Sequence, residues 1–145
     1  MKRLTLPALA LLAFSSTPAL AGSDWGYASG EYYYTINRNS VFSMDDTPGH
    51  EYIQVKTNER SKKVCQTPEN TSVVLTLNKQ PVQGERHIWQ KKGECQISLI
   101  IRGKPTQQWL VNYLSEQGHV ITLSDMTGDF KISGRGFKDF WDANQ

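Results

Sequence analysis

The chain has few cysteines and little excess charge, and each scarcity excludes a class of protein. Only Cys65 and Cys95 occur among 145 residues, too far apart for the C-x-x-C spacing of redox motifs. A zinc site would need further ligands at close spacing. The net charge is +2, and it falls to zero once Lys2 and Arg3 are removed with the segment described below. A balanced charge gives no electrostatic basis for general nucleic-acid binding.

Motifs of common hydrolases are missing as well. No G-x-S-x-G turn is present, and no second histidine follows His50-Glu51 at the H-E-x-x-H spacing. His50, His87 and His119 lie on three predicted strands, where they could meet at a metal or serve as ordinary surface residues. Asp45-Asp46 could bind a cation or act as an acid–base pair, but Thr47-Pro48-Gly49 after them favours a turn. We therefore expect no catalytic residue, no metal and no cofactor.

The chain has one long hydrophobic run, and it lies at the start. A basic start precedes the run Leu4–Phe14, and Ala19–Ala21 follows as an A-x-A cleavage site, which predicts a secretory signal peptide over residues 1–21. The run is shorter than the roughly 20 residues that a membrane-spanning helix needs. We expect residues 22–145 to form one domain without a stable membrane anchor, in the periplasm or, as the alternative, secreted.

The two cysteines predict a disulfide in such an oxidising compartment. Four lysines lie just before the cysteines: Lys62, Lys63, Lys91 and Lys92. A disulfide would gather them into one neighbourhood, within a stretch, 56–104, where basic residues outnumber acidic ones. They could form a binding surface for an acidic partner, or they could protect exposed strand ends and turns from pairing.

Aromatic residues crowd the beginning of the predicted domain. Trp25 and Tyr27 are followed by Tyr32, Tyr33 and Tyr34, and adjacent strand residues point to opposite faces. An exposed group of tyrosines suits contact with a protein or a glycan. The alternative is burial in the sheet. We take the three tyrosines as a second candidate binding patch.

Hydrophobic periodicity predicts an α+β fold, in which an antiparallel, sandwich-like sheet carries one or two short helices near the C-terminus. Strands are predicted over 31–36, 40–44, 50–56, 73–78, 87–89, 95–102, 119–123 and 130–133. The run 95–102 is almost continuously apolar, which favours a position near the middle of the sheet. Pro81 and Gly84 predict a turn.

Two helices are predicted in the last third of the chain. The first begins at Pro105, places four residues on one face and ends at Gly118. The four residues are Trp109, Leu110, Tyr113 and Leu114. The second follows Gly136, with Phe137, Phe140 and Trp141 at helical spacing.

The C-terminal third resembles the ending of small bacterial periplasmic families. The segment "GDFKISGRGFKDFWDA" is similar to that of invasion-associated locus B proteins and of accessory periplasmic proteins of type VI secretion, with matching positions at Phe130, Ile132, Gly136, Phe137 and Phe140. The segments "SMDDT" at 43–47 and "CQISLIIR" at 95–102 also resemble the type VI group. The resemblance implies the fold and the compartment, and it carries over no catalytic residues.

These patterns predict an exported binding or accessory protein that acts by contact with another envelope protein. It could inhibit an enzyme, protect against a toxin or support a secretion apparatus. Two alternatives stay open: a small envelope hydrolase or ligand carrier, which needs a concave site, and a subunit of a surface assembly, which needs an exposed, unpaired edge strand.

Overall fold

A strongly curled antiparallel sheet forms most of the structure. The computed structural model describes residues 24–60, 63–116 and 119–145, and within them nine strands form one sheet. The strands are β1 (Trp25–Ala28), β2 (Glu31–Asn37), β3 (Ser40–Asp45), β4 (Tyr52–Glu59), β5 (Asn70–Leu77), β6 (Gln80–Lys91), β7 (Glu94–Arg102), β8 (Val120–Asp125) and β9 (Gly128–Ser133). The helices are a 3-10 helix (Lys63–Gln66), α1 (Lys104–Ser115) and α2 (Phe137–Ala143). The predicted signal peptide and Gly118 lie outside the described residues.

The strand order is β1-β2-β3-β4-β7-β6-β5-β8-β9, so β7 is the central strand. It pairs with β4 on one side and with β6 on the other. Ile97, Leu99 and Ile101 of β7 are buried on one face, and each contributes roughly 1.5–3 kcal/mol by leaving water. The predicted α+β fold with a central apolar strand is confirmed, and its sandwich-like element takes the form of one curled sheet.

Helices α1 and α2 complete the core inside the curl. Leu110 and Leu114 of α1 and Phe137 and Phe140 of α2 are buried, as their helical spacing predicts. Trp109 differs from the prediction, because 42% of it is exposed while Gln107, two residues earlier, is buried. Gln107 is buried because its side-chain amide donates to two backbone carbonyl groups near the β3–β4 loop.

An aromatic cluster around Trp25 joins the two ends of the sheet. The Trp25 ring lies 4.7 Å from Phe137, 5.1 Å from Tyr34 and 5.9 Å from Phe42, measured between ring centroids. Its indole Nε1 donates a hydrogen bond to the carbonyl of Ser133, at the end of β9, over 3.0 Å. The first strand is therefore tied to the last, which accounts for the curl.

The turn predicted at Pro81 and Gly84 is wrong. Both residues lie inside β6, and the reversal is made at Asn78 and Lys79, which have φ values of 50° and 70°. Gly84 is needed for close packing, because a Cβ there would lie 2.8 Å from the backbone oxygen of Ile100. Its role in the fold is a tight strand contact rather than a turn.

The predicted disulfide is confirmed. Cys65, in the 3-10 helix, is bonded to Cys95 at the start of β7, with 5.7 Å between their Cα atoms. Cys95 is fully buried. The bond therefore connects a loop-borne helix to the central strand.

Replacing both cysteines by alanine should lower the free energy of unfolding by about 3–4 kcal/mol. The bond closes a loop with a sequence separation of 30 residues, and its loss releases conformational entropy in the unfolded chain. Urea unfolding of residues 22–145, followed by circular dichroism, measures the change. A loss below about 1 kcal/mol would contradict a structural role for the bond.

Candidate functional site

The disulfide places a lysine-bearing segment beside the β6–β7 hairpin. A second contact supports it, because the side-chain amide of Gln90 on β6 donates a hydrogen bond to the backbone oxygen of Cys65 over 2.6 Å. Val64, next to Cys65, is buried. Two anchors therefore fix the 3-10 helix at this end of the sheet.

We call the resulting surface the basic end and define it as Lys63, Lys91 and Lys92. All three are exposed, Lys63 in the 3-10 helix and the other two at the hairpin. In the described part of the chain none of them forms an ion pair. Lys62, the fourth lysine of the prediction, lies outside the described residues. The structure thus brings together the segments that carry the three described lysines.

Acidic groups lie near the basic end and reduce the repulsion among its lysines. Glu94 is the cross-strand neighbour of Lys91, and Glu59 is the cross-strand neighbour of Cys95. Opposite charges on facing strand positions are weakly stabilising. The surface still has its lysine side chains in solvent, where they attract an approaching negative charge.

Trp89 exposes a large apolar side chain at the hairpin, on the face of β6 opposite to that of Gln90, which holds the 3-10 helix. It is 49% exposed, and the two-residue period of a strand places it on the same face of β6 as Lys91. Its ring stacks on His87, with 6.2 Å between centroids and 24° between planes. The sequence pattern predicts Trp89 only as part of a strand. The sequence did contain a signal for its exposure, because strand alternation places Trp89 on the same face as the polar Lys91 and on the opposite face to the apolar Ile88.

A group of hydrogen-bonded side chains lies next to Trp89 on the same face of the sheet. His87 bonds through Nδ1 to the side chain of Asn70 on β5 and through Nε2 to Glu85 over 2.9 Å. Arg102 of β7 donates from Nε to the other oxygen of Glu85 over 2.7 Å. Arg102, followed by His87, holds the pKa of Glu85 below its ordinary value, and Glu85 in turn raises the pKa of Arg102. Glu85 is therefore a carboxylate that accepts hydrogen bonds at neutral pH.

A second polar contact lies further along the same face. The phenol of Tyr52 on β4 donates to the carboxylate of Glu31 on β2. Burial, followed by the bond to Glu31, raises the pKa of Tyr52. Its phenol therefore stays protonated and keeps donating. Together with Glu85 and Arg102, this contact gives the outer face of the sheet a fixed arrangement of side chains.

The three tyrosines do not form one exposed patch. Tyr32 is only 3% exposed, with its ring 4.6 Å from that of Trp141, and it belongs to the core. Tyr34 packs on Trp25 beside the core, whereas Tyr33 points to the opposite face and is 37% exposed. Strand alternation separates them, and burial removes Tyr32 from the candidate binding residues.

The histidines and the aspartate pair have separate local roles. His119 contacts the ring of Tyr113, with 4.7 Å between centroids, and His50 is exposed in the loop before β4. Within residues 24–60, 63–116 and 119–145, no three His, Cys, Asp or Glu side chains come together as metal ligands. A carboxylate oxygen of Asp45 accepts the backbone N–H of Thr47 over 2.7 Å, which supports the turn interpretation.

Two open grooves border helix α1. The larger, about 480 Å³, lies between α1, the β3–β4 loop and α2, and its lining includes Asp46, Glu51, Lys104 and Trp141. The other, about 340 Å³, is mostly apolar and has Trp109 at its side. The larger groove offers opposite charges and one aromatic ring, which suits a small polar ligand.

No protein-family model, curated protein or solved structure matches this chain. In the described ranges, no helix is both long and apolar enough to cross a membrane.

Replacing Arg102 by glutamine should move the pKa of Glu85 back toward its ordinary value. The lowered pKa in the folded protein means that the interaction stabilises the fold above the unfolded pKa of about 4.3 and is lost as the pH falls through the folded value. The stability difference between the parent and R102Q should therefore shrink on acidification. Carbon-detected NMR titration measures the pKa of the Glu85 carboxyl in the parent and in R102Q. The control is R38Q, a substitution of an arginine at an exposed turn. An unchanged pKa in R102Q would contradict the assignment.

Proposed function

We propose that this is an exported protein that acts by contact with another protein, through the basic end and Trp89. Its cellular place is the periplasm, with secretion as the alternative. It would serve as an inhibitor, as an immunity-type protein or as an accessory protein of secretion. The observation that carries the proposal is the double anchoring of the 3-10 helix, by the disulfide and by Gln90, beside a hairpin with exposed lysines and a half-exposed tryptophan.

The composition of this surface supports contact with an acidic protein. Exposed lysines speed association with a negatively charged partner, because the long-range attraction steers the encounter. A tryptophan that becomes buried on binding contributes much of the affinity at many interfaces. Lys91 and Trp89 lie on one face of the same strand, so one partner surface can contact both.

The disulfide also supports export. Such bonds form and persist in oxidising compartments and are rare in the cytosol of most organisms. The predicted signal peptide and the resemblance to periplasmic families agree with this location. If the segment is removed, the remaining acidic and basic residues are equal in number, so the basic end is a local feature of a neutral molecule.

A ligand carrier is the second candidate, favoured by the groove of about 480 Å³ beside α1. Its charged lining and Trp141 suit a small polar or zwitterionic compound. Chemical-shift changes confined to this groove, on adding a set of such compounds, would favour that function over protein contact.

Reversing the charge of Lys91 and Lys92 to glutamate should abolish capture of the partner. The oxidised mature protein is immobilised and exposed to envelope extract, and bound proteins are identified by mass spectrometry at low and high salt. A true partner should bind the parent, be released by salt because surface charges are screened, and be missing from K91E/K92E.

The matched control is K131E/K138E, which makes the same change in net charge on exposed residues of β9 and α2. This variant should retain the partner. Equal capture by all three proteins would rule out the basic end as the contact surface.

A further inference from the structure

Strand β5 has an open edge. All eight of its residues, from Asn70 to Leu77, pair with β6, whereas only Thr76 and Leu77 pair with β8 on the other side. Within the described ranges, no strand pairs with this side of the stretch from Asn70 to Leu75. Strand β8 ends at Asp125, one residue beyond the partner of Thr76, and the chain then reverses into β9, which leaves this edge without a paired strand.

The direction of the backbone groups follows from the β6 ladder. The N–H of Ile88 on β6 donates to the carbonyl of Glu69, so the backbone of Glu69 points toward β6. Because direction alternates along a strand, Asn70, Ser72 and Val74 direct their N–H and C=O groups away from β6. These groups form a row that another extended chain can pair with.

The side chains of this edge do nothing to prevent such pairing. From Asn70 to Leu77 the strand has no charged residue and no proline, the usual protections of an exposed edge. Val74 is 61% exposed, the most exposed large hydrophobic residue in the described ranges. An uncharged, β-branched edge of this kind is typical of strands that accept a partner strand.

The Asn70 end of this edge is the end nearer to the basic end. Asn70 lies opposite His87, and β6 continues from there through Trp89 to Lys91. A strand added antiparallel to β5 would therefore run from Val74 toward Asn70 and reach the lysines with its C-terminal part. Charge complementarity makes acidic residues the favoured ones at that end of the ligand.

We propose that β5 binds an extended segment of a partner protein by strand addition, with acidic residues C-terminal to the paired stretch. The acidic part of this inference rests on the proposed function of the basic end. The paired part rests only on the open edge.

Two synthetic peptides of equal composition test the proposal. Both contain five alternating threonines and valines and four acidic residues, which follow the alternating stretch in one peptide and precede it in the other. Binding to the oxidised mature protein is followed by NMR of the backbone amides. We expect shifts at Asn70, Ser72 and Val74, and affinity about tenfold higher for the peptide with the acidic C-terminal part.

Ser72→Pro removes one outward N–H of β5 and leaves the β6 ladder intact, and Ser72→Ala is the matched control that keeps this N–H. S72P should weaken binding about tenfold, with S72A close to the parent. Circular dichroism and thermal unfolding establish that S72P is folded. If S72P fails to fold, the amide shifts of the parent at Asn70, Ser72 and Val74 decide whether strand addition occurs.

The two proposals fail in different ways. If S72P binds like the parent, or if neither peptide binds the parent at about 1 mM, strand addition is overturned. If K91E/K92E still binds the peptide with C-terminal acidic residues more tightly than the other, the basic end does not cause this preference. The proposed function then fails while strand addition stands. Self-association of the parent that S72P abolishes would show that the edge takes a second copy of this chain, and this would overturn the partner segment.

Discussion

The bond between Cys65 and Cys95 determines where the lysine-bearing loop lies. In the described part of the loop between β4 and β5, Val64 is the one buried residue, and Gln90 of the hairpin donates to the backbone of Cys65. Cys95 is fully buried on the central strand, so the bond attaches the loop to the middle of the sheet. Lys63 is thereby held at the same end of the sheet as Lys91 and Lys92, from which it is distant in sequence.

The contact between the two ends of the sheet and the short length of β8 have consequences of different kinds. Trp25 ties β1 to the end of β9 and buries a cluster of aromatic rings under α2, which stabilises the fold. Strand β8 ends at Asp125 and, within the described residues, pairs with only two residues of β5. The fold therefore gains a closed core and leaves backbone groups of β5 unpaired near the basic end. If both features belong to one binding surface, charge would supply attraction and backbone hydrogen bonds would supply affinity.

The sequence was most informative where hydrophobic periodicity and covalent chemistry act alone. The apolar run after Cys95 indicated the central strand, and the spacing of Phe137 and Phe140 indicated the last helix. It was misleading where long-range packing determines the role of a residue. Gly84 approaches β7 closely, and the burial of Tyr32 depends on α2. The lysines of the candidate site followed from the cysteines beside them. Trp89 and the open edge of β5 depend on strand register, which no local pattern specifies.

The central claim is that the disulfide creates the contact surface, and partner capture by oxidised and reduced protein tests it most directly. Both forms are immobilised at the same density, and far-UV circular dichroism establishes that the reduced form keeps its sheet. The account predicts that the oxidised protein retains a partner in a salt-sensitive manner and that the reduced protein loses most of it, because the segment carrying Lys63 leaves the hairpin. Equal retention by both forms, with the same salt dependence, would contradict the account.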